Sequence, residues 1–304
     1  MPPNRGDAKG RETVLKPILI SMRPGQWVKN SVVLAALVFS QRLLVPRDIV
    51  KSLGAFVIFC IVSGAAYLFN DVCDAESDRH HESKRLRPVA SGALPVQTAV
   101  LTACVLVLVA VAGSAFLGRD FVALVVVYIA MSAAYSLGLK RIVIIDVMIV
   151  AVGFMLRAIA GGAALDVEIS PWLVICTIFL ALFLALGKRR HELVFMRQDA
   201  GAHRSVLAEY NPPLLDQMIA IVTTSTVIVY VLYTTSPSVQ ERLGTTRLFI
   251  TIPFVVYGIF RYLYLVHTQE QGGSPSRVLF SDVPLVMDVL LWFAAVCTVL
   301  YLWD

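Results

Sequence analysis

The side chains most able to do chemistry lie in an acidic run, residues 70–78, directly after the apolar run 53–69. Three carboxylates and one amide recur there at helical spacing, from Asn70, Asp71, Asp74 and Asp78. If the run is helical, these four side chains share one face, because successive residues rotate by about 100°. Clustered carboxylates repel one another unless a cation lies among them, and Mg²⁺ takes a few carboxylates together with water and phosphate oxygens. The run therefore predicts a Mg²⁺ site for a diphosphate, with the three aspartates as catalytic metal ligands; a solvated acidic loop is the alternative.

A second charged segment, 187–193, begins where another long apolar run ends. On a continuing helix Lys188, Glu192 and Asp199 share a face, and Arg189 lies near it. Because both charged segments follow long apolar runs, we expect them to lie at helix ends on the same side of a bundle. There they would form one active site at its mouth. Anchoring at the membrane surface is the alternative interpretation of the basic residues.

One arginine, Arg157, lies deep in the apolar run 143–164, where a cation is costly unless it faces a cavity or a partner. Gly153 and Gly161 lie four residues to either side of it, which leaves a smooth strip for close helix packing or for a ligand. Asp146 falls on the same face, about 16 Å along the helix axis. These features favour anion binding by Arg157, with a structural salt bridge to another helix as the alternative.

Composition places the chain in a membrane. Hydrophobic residues make up 58% of it, charged residues 15%, and the mean hydropathy is +0.75, which excludes an ordinary soluble domain. A spanning helix needs about 20 mostly apolar residues. Nine runs qualify: 28–44, 50–69, 96–116, 121–138, 142–162, 171–187, 216–235, 248–266 and 284–302. They predict an all-α, multi-pass bundle of nine membrane helices.

The remaining features of the chain fit a single membrane domain. Residues 1–15 are expected to form a polar N-terminal segment without a signal peptide, and residues 16–304 one transmembrane domain. The five cysteines form no CxxC pair, which is typical of packing residues rather than zinc ligands or disulfides. The net charge of +5 needs no nucleic acid to explain it, since membrane orientation and phosphate ligands account for the excess.

Basic residues indicate the orientation. With the N-terminus in the cytoplasm, most Lys and Arg residues lie inside, in the N-terminal segment and the loops near residues 79–87, 140–141 and 188–204. The opposite side keeps only Arg42, Arg47, Lys51, Arg119, Arg242 and Arg247. Cytoplasmic loops are enriched in positive charge. We therefore expect the acidic run and the active site to face the cytoplasm, with the C-terminus outside.

Several motifs resemble a known family. The chain resembles the UbiA superfamily of intramembrane prenyltransferases in three features. They are the NDxxDxxxD pattern of 70–78, the spacing of Tyr135 and Lys140, and the nine spans. The resemblance is greater to one branch of the superfamily, whose members transfer a phosphoribosyl group. It rests on the segments 23–30, 84–88, 156–162 and 187–189 together with Glu192. The resemblance covers about residues 20–300. Where other members carry a second aspartate-rich motif, this chain has Lys188, Arg189 and Glu192, which favours a substrate with an additional phosphate.

The resemblance implies a reaction. Phosphoribosyl diphosphate (PRPP) would be the donor, and the phosphate oxygen of a polyprenyl phosphate, of the decaprenyl class, would attack its anomeric carbon and expel diphosphate. Mg²⁺ held by the three aspartates would neutralise the leaving group, and the product would feed a cell-envelope glycan such as arabinogalactan. Lys188 and Glu192 join the aspartates as expected catalytic residues. The expected substrate-binding residues are Arg23, Gln26, Lys29, Asn30, Asn70, Lys84, Arg85, Arg87, Tyr135, Lys140, Arg157 and Arg189.

Two other functions remain open at this stage. An aromatic prenyltransferase of a quinone or haem pathway would hold a prenyl diphosphate in the same acidic cradle, although the basic segment at Lys188 argues against it. A membrane transporter is the more distant alternative, because intramembrane arginines also mark transport paths. For Tyr135, an interfacial aromatic anchor fits as well as a role at the site. Assembly into a homo-oligomer is also left open.

Overall fold

The computed structural model describes residues 5–82, 84–195, 205–268 and 275–303. Asp199, predicted above to share a helix face with Lys188 and Glu192, lies outside them. The described α-helices are Arg5–Met22 (α1), Ala35–Phe39 (α2), Pro46–Cys73 (α3), Ala75–Arg79 (α4), Val96–Ser114 (α5), Arg119–Leu137 (α6), Ile145–Leu165 (α7), Pro171–Phe195 (α8), Pro212–Thr235 (α9), Pro237–Leu243 (α10), Ile252–Thr268 (α11), Pro275–Ser281 (α12) and Val283–Tyr301 (α13). Helix α1 runs across residue 15, the predicted end of the polar N-terminal segment.

Eight helices in the described part of the chain are long and apolar enough to cross a membrane. They are α3, α5, α6, α7, α8, α9, α11 and α13, with α5 and α11 each lengthened by a 3₁₀ turn. Proline begins several of them, at the first helical position where its missing N–H costs nothing. The predicted all-α, multi-pass architecture is confirmed.

The first predicted span, 28–44, is helical but differently wound. It forms a 3₁₀-helix, Pro24–Leu34, which continues into the short α2. A 3₁₀-helix rises about 2 Å per residue against 1.5 Å for an α-helix, so fewer residues cover the same distance. The segment therefore extends along α3, from Arg23 beside Asp71 at one end to Leu37 in one apolar cluster with Ile49 at the other.

Two apolar clusters build the halves of the bundle. The first joins the 3₁₀-helix, α3, α6 and α7 and includes Val33, Phe59, Phe121, Val125 and Leu156. The second joins α8, α9 and α11 and includes Phe183, Leu186, Leu215, Tyr262 and Leu265. Consecutive spans run in opposite directions, so α3, α6, α8 and α11 end on the side of the membrane where α5, α7, α9 and α13 begin. This arrangement brings the acidic run and the second charged segment to the same side.

The acidic run is not one continuous helix, which corrects the geometry expected from its spacing. Helix α3 ends at Cys73, and Asp74 sits at the junction with φ −97° and ψ 0° before α4 begins at Ala75. The turn is mild, because the backbone N–H of Asp78 still donates to the Asp74 carbonyl at 2.8 Å. The run therefore bends at Asp74, and Asp74 meets partners that differ from those of Asp71 and Asp78.

Close backbone packing occurs at one of the two glycines beside Arg157. A Cβ atom on Gly161 would lie 2.1 Å from the Val33 carbonyl oxygen and 3.0 Å from its carbon, both backbone atoms. We expect Gly161→Ala to lower the free energy of unfolding by about 1–3 kcal/mol, because α7 and the 3₁₀-helix must separate. The thermal midpoint in detergent measures this.

The matched control for that prediction is Gly54→Ala in α3, where a Cβ would meet nothing within 4 Å. It should leave stability unchanged or raise it by about 0.5–1 kcal/mol, because alanine is the better helix former. Equal midpoints for the Gly161 and Gly54 variants would contradict the close packing.

Candidate active site

The acidic half of the site lies at the end of α3, where two arginines hold two of the predicted metal ligands. Arg87 Nη1 lies 2.7 Å from Asp78 Oδ2 and 3.3 Å from Asp71 Oδ1. Arg23 Nη2 donates to the same oxygen of Asp71 at 2.5 Å. Asp71 and Asp78 are both buried. The shared guanidinium groups therefore keep two buried carboxylates together that would otherwise repel each other.

Arg23 reaches Asp71 from an unusual backbone position. Helix α1 ends at Met22, because the residue before Pro24 disfavours the right-handed helix. Arg23 itself adopts a left-handed conformation with φ 53°. Its guanidinium also lies over the Tyr67 ring, 4.8 Å from the centroid, a distance at which a cation is attracted to an aromatic face. This turn places a cation between the 3₁₀-helix and α3.

Asp74, the third predicted ligand, is held by Lys140. The Lys140 Nζ lies 2.6 Å from Asp74 Oδ1 and 3.0 Å from Asn70 Oδ1, and the Asn70 amide donates to Asp74 Oδ2 at 3.1 Å. Lys140 is buried in the 3₁₀ turn Leu139–Arg141 between α6 and α7. The tight turn directs the lysine back toward α3, as expected from its sequence position.

The second half of the site lies at the end of α8, where Arg189 is the central residue. Its Nε donates to Asp146 Oδ2 at 2.7 Å and its Nη1 to Glu192 Oε2 at 2.7 Å. Lys188 Nζ lies 3.6 Å from the other oxygen of Glu192. Both contacts with Glu192 follow the three- and four-residue spacing of one helix face. Asp146, at the start of α7, is fully buried. Its ion pair with Arg189 neutralises a charge that would otherwise be costly there.

Tyr210 completes this second half from the segment before α9. Its hydroxyl donates to Asp146 Oδ1 at 2.8 Å and accepts the backbone N–H of Ile144 at 2.7 Å. Burial, together with the hydrogen bond to the Asp146 carboxylate, raises the pKa of Tyr210 to about 12. The phenol therefore stays protonated at neutral pH and remains a donor to Asp146.

Arg157 lies deeper in the bundle, eleven residues after Asp146 in α7, and is bound by neutral groups. Its Nε donates to Asn30 Oδ1 at 2.8 Å, its Nη1 to the Gly153 carbonyl at 2.8 Å and its Nη2 to the Tyr128 hydroxyl at 2.7 Å. The guanidinium also lies 4.8 Å from the centroid of the Tyr128 ring. No carboxylate among the described residues forms an ion pair with it. The salt-bridge alternative is therefore not realised in the part of the chain that the structure describes.

Lys29 is a second cation, near Arg157, that lacks a partner among the described residues. It is half-buried, and within the described ranges it takes part in no hydrogen bond or ion pair. It lies within electrostatic reach of Lys188, Arg157 and Arg23, all of the same sign. Mutual repulsion in a half-buried place is unfavourable unless an anion enters. Lys29 and Arg157 thus mark a positive centre.

The other predicted site residues lie either beside the residues described above or in the 3₁₀ turn Lys84–Leu86. Tyr135 is half-buried and within electrostatic reach of Arg189, Gln26 is half-buried one turn after Arg23, and Asn30 is buried beside Arg157. Lys84 is half-buried and Arg85 is exposed, in the 3₁₀ turn Lys84–Leu86. The structure therefore brings most of the predicted residues together and leaves Arg85 on the surface.

Three contributors were missed as site residues in the sequence. Asp146 was placed on the face of Arg157 but pairs with Arg189, and a lone carboxylate at the start of an apolar helix was a signal for a partner. Tyr128 lies in an apolar run as one aromatic among many. Tyr210 follows a part of the α8–α9 connection that lies outside the described residues, and nothing in its local sequence marks it as a site residue.

The acidic half has the donor chemistry that Mg²⁺ requires, although its carboxylates now face cations. Asp71, Asp74, Asp78 and Asn70 offer oxygen ligands at one helix end, as a hard cation prefers. In the described chain no three His, Cys, Asp or Glu side chains are grouped closely enough to enclose a metal ion. Arg87 and Lys140 would release their carboxylates on metal binding. The residues fit the ion in kind and lie at one helix end, but their side chains would have to rearrange to enclose it.

Comparisons with known proteins agree with the motifs. The model of the UbiA prenyltransferase family matches residues 31–283. A Corynebacterium glutamicum protein named decaprenyl-phosphate phosphoribosyltransferase is 37% identical over 293 residues, covering 93% of this chain and 86% of that protein. A protein of the same name from Mycobacterium tuberculosis is 34% identical over 284 residues, covering 92% of each.

Solved structures share the fold. A UbiA homolog from Archaeoglobus fulgidus bound to DMAPP and Mg²⁺ has a TM-score of 0.69 at 17% identity, covering 94% of this chain and 99% of that one. At this level of identity the likeness concerns the fold alone. Together with the family match and the relatives over most of the chain, it confirms the resemblance seen in the motifs: the chain is a multi-pass membrane protein that belongs to the UbiA prenyltransferase family.

Proposed function

We propose that this protein transfers the 5-phosphoribosyl group of PRPP to a polyprenyl phosphate, of the decaprenyl class, and releases diphosphate. The observation that carries the proposal is the positive centre formed by Lys29 and Arg157, next to the acidic half. The relatives named decaprenyl-phosphate phosphoribosyltransferase support the choice of substrates. The product would serve a cell-envelope glycan.

The charge balance favours substrates with several phosphates. The acidic half and the α8 half contain paired charges, whereas Lys29 and Arg157 lack carboxylate partners among the described residues. A prenyl diphosphate brings one anionic group, which the acidic half with its cation would bind. PRPP brings a diphosphate and a separate 5-phosphate, and the lipid phosphate adds a third anionic group. The extra cations therefore match the extra phosphates.

The reaction needs positioning and charge stabilisation more than a strong base. A phosphate oxygen of the lipid forms a bond to the anomeric carbon of the ribose, and the bond from that carbon to diphosphate breaks, with the electron pair leaving on diphosphate. The attacking phosphate is already ionised at neutral pH. Catalysis then depends on holding the two reactants in line and on stabilising the leaving group.

We assign the phosphates by position. Arg87 and Lys140 lie beside the acidic ligands and would contact the leaving diphosphate. Arg189 and Lys188, oriented by Glu192, would hold donor phosphate from the α8 side. Arg157 and Lys29 would receive the phosphate that lies between the halves, with Arg157 offering the planar fork that binds phosphate oxygens in pairs.

Asp71, Asp74 and Asp78, with Asn70, would hold Mg²⁺. When bound, the ion supplies positive charge that neutralises the departing diphosphate. The protein's own contribution there is to fix the carboxylates at one helix end, with Arg87 and Lys140 as exchangeable partners. These two cations would keep the carboxylates in place between turnovers.

The lipid would enter near the 3₁₀-helix. Arg23, Gln26, Lys29 and Asn30 lie at the start of this crossing, and they could place the lipid phosphate while its tail lies between spans. The bias of Lys and Arg toward this side indicates that it faces the cytoplasm. Residues 16–304 would then form a single catalytic membrane domain, preceded by the polar segment 1–15.

The purified protein, incubated with PRPP, Mg²⁺ and a polyprenyl phosphate, is expected to form a phosphoribosylated lipid detectable by mass spectrometry, with release of one diphosphate per lipid. Parallel reactions replace PRPP by a prenyl diphosphate with an aromatic acceptor, and vesicles containing the protein are tested for uptake of PRPP. Consumption of prenyl diphosphate alone, or uptake without product, would contradict the proposal.

A further inference from the structure

The segment before α9 contributes one side chain to the α8 half, and the reaction described above gives that side chain no role. Tyr210 is only 4% exposed and hydrogen-bonds to the start of α7 at Ile144 and Asp146. Asp146 in turn pairs with Arg189 of α8. The 3₁₀-helix Ser205–Glu209 that precedes it packs against the turn of Lys140. The segment 205–210 therefore contacts both the turn of Lys140 and the start of α7 from outside the membrane helices.

The backbone that Tyr210 binds is strained. Ile144 has φ 69° and ψ −45°, a conformation that a β-branched residue rarely adopts because its Cβ clashes with the backbone. Its N–H donates to the Tyr210 hydroxyl at 2.7 Å. Strained residues persist only where the surroundings hold them. Here the strained turn sets the first residues of α7, and so sets the position of Asp146.

Asp146 in turn fixes the orientation of Arg189. Its two oxygens are divided, one accepting from Tyr210 at 2.8 Å and the other from Arg189 Nε at 2.7 Å. Glu192 takes Arg189 Nη1, and Nη2 carries no hydrogen bond to any described residue. Two of the guanidinium nitrogens are thus held by Asp146 and Glu192, and Nη2 is the nitrogen that we assign to a ligand phosphate.

We propose that Tyr210 and Asp146 are positioning residues that hold Arg189 in the orientation in which it binds donor phosphate. The chain of hydrogen bonds runs from the Ile144 N–H through the Tyr210 hydroxyl and the Asp146 carboxylate to the guanidinium. This inference rests on the proposed function only for the identity of the donor. The coupling between Tyr210 and Arg189 concerns any phosphate bound at this place.

The test measures binding of inorganic diphosphate, in the presence of Mg²⁺, to the purified full-length protein by calorimetry. Tyr210→Phe removes one hydroxyl and should weaken diphosphate binding by about tenfold, a typical coupling for residues in one hydrogen-bond network. The matched control is Tyr230→Phe, which removes another buried hydroxyl, bonded to Thr251 and Trp292 on the far side of the membrane. It should change the dissociation constant less than about twofold.

A double-mutant cycle separates positioning from a general structural role. In the Arg189→Ala background, Tyr210→Phe should change diphosphate binding less than about twofold, because the group that it positions is absent. If Tyr210→Phe weakens binding about tenfold there too, or has no effect in the wild type, the inference is wrong. Asp146→Asn provides a second route should Tyr210→Phe not fold, and it must show the same loss of effect without Arg189.

Turnover distinguishes this inference from the proposed function. If the wild type binds diphosphate but does not consume PRPP, the proposed donor is wrong. The double-mutant cycle then still decides whether Tyr210 is coupled to Arg189. If PRPP is consumed, Tyr210→Phe should raise the KM for PRPP and leave that for the lipid near the wild-type value. An equal rise in both would overturn the assignment to donor phosphate.

Discussion

Replacing Asp74 by asparagine is expected to reduce turnover by about 10²–10³-fold, the range seen when one group that stabilises developing charge is removed. Asparagine keeps the shape and the oxygen that accepts from Lys140 at 2.6 Å in the wild type, but it lacks the charge that attracts Mg²⁺. The fold should survive, because Asp74 lies at the junction of α3 and α4 rather than in an apolar cluster. Initial rates at saturating PRPP and lipid, across a series of Mg²⁺ concentrations, measure the effect.

The control for this prediction lies at the other end of the same helix. Asp48 is buried and paired with Arg42 at 3.0 Å, so Asp48→Asn also removes a paired carboxylate from α3, on the opposite side of the membrane. It should leave turnover near the wild-type value. If Asp74 serves only as the partner of Lys140, the Asp74 variant would lose activity with an unchanged Mg²⁺ dependence. That result would exclude Asp74 as a metal ligand.

Replacing Arg157 by lysine is expected to lower kcat/KM for PRPP by about 10²-fold, since lysine keeps the charge but loses the planar fork that binds phosphate in pairs. Lysine can also replace only part of the three hydrogen bonds that Arg157 makes to Asn30, Gly153 and Tyr128. Their acceptors are neutral, so no buried carboxylate is left unpaired and the thermal midpoint should fall by only a few degrees. PRPP should no longer protect the variant against heat.

A matched arginine is available for comparison. Arg247 is half-buried and lies 4.8 Å over the Trp303 ring, the same distance that separates Arg157 from the Tyr128 ring, but on the side of the membrane away from the site. Arg247→Lys should keep both activity and protection by PRPP. If Arg157→Lys instead unfolds many degrees lower while its folded fraction turns over normally, Arg157 is a structural residue and binds no substrate phosphate.

The membrane helices, and the face of a helix on which a given side chain lies, could be predicted well from the spacing of residues in the sequence. The long apolar runs indicate membrane helices because a bilayer excludes unpaired backbone groups. The cost of a cation in an apolar run predicts that Arg157 faces the interior, where it lies. The acidic run was placed correctly at a helix end, although the bend at Asp74 depended on the local turn and could not be inferred from the spacing.

The winding of the first span, and its close approach to α7, were decided by contacts between the two helices. The first predicted span has the composition of an α-helix, yet it is wound mainly as a 3₁₀-helix where the Val33 carbonyl packs on Gly161. Local propensity contributes only tenths of a kcal/mol per residue. Packing against another helix can therefore select the tighter form, and the sequence of the segment alone does not contain that partner.

The sequence by itself determined which residues carry charge at the helix ends and which side of the membrane they share. Only the tertiary structure decided their partners: Lys140 binds Asp74 across 66 residues, Arg189 binds Asp146 across 43, and Tyr210 reaches the same carboxylate across 64. The packing of the helices also leaves Arg157 and Lys29 without carboxylate partners in the described chain. The physical reason is that helical spacing fixes the face of a side chain, whereas a pair of charges depends on the distance and rotation between two packed helices.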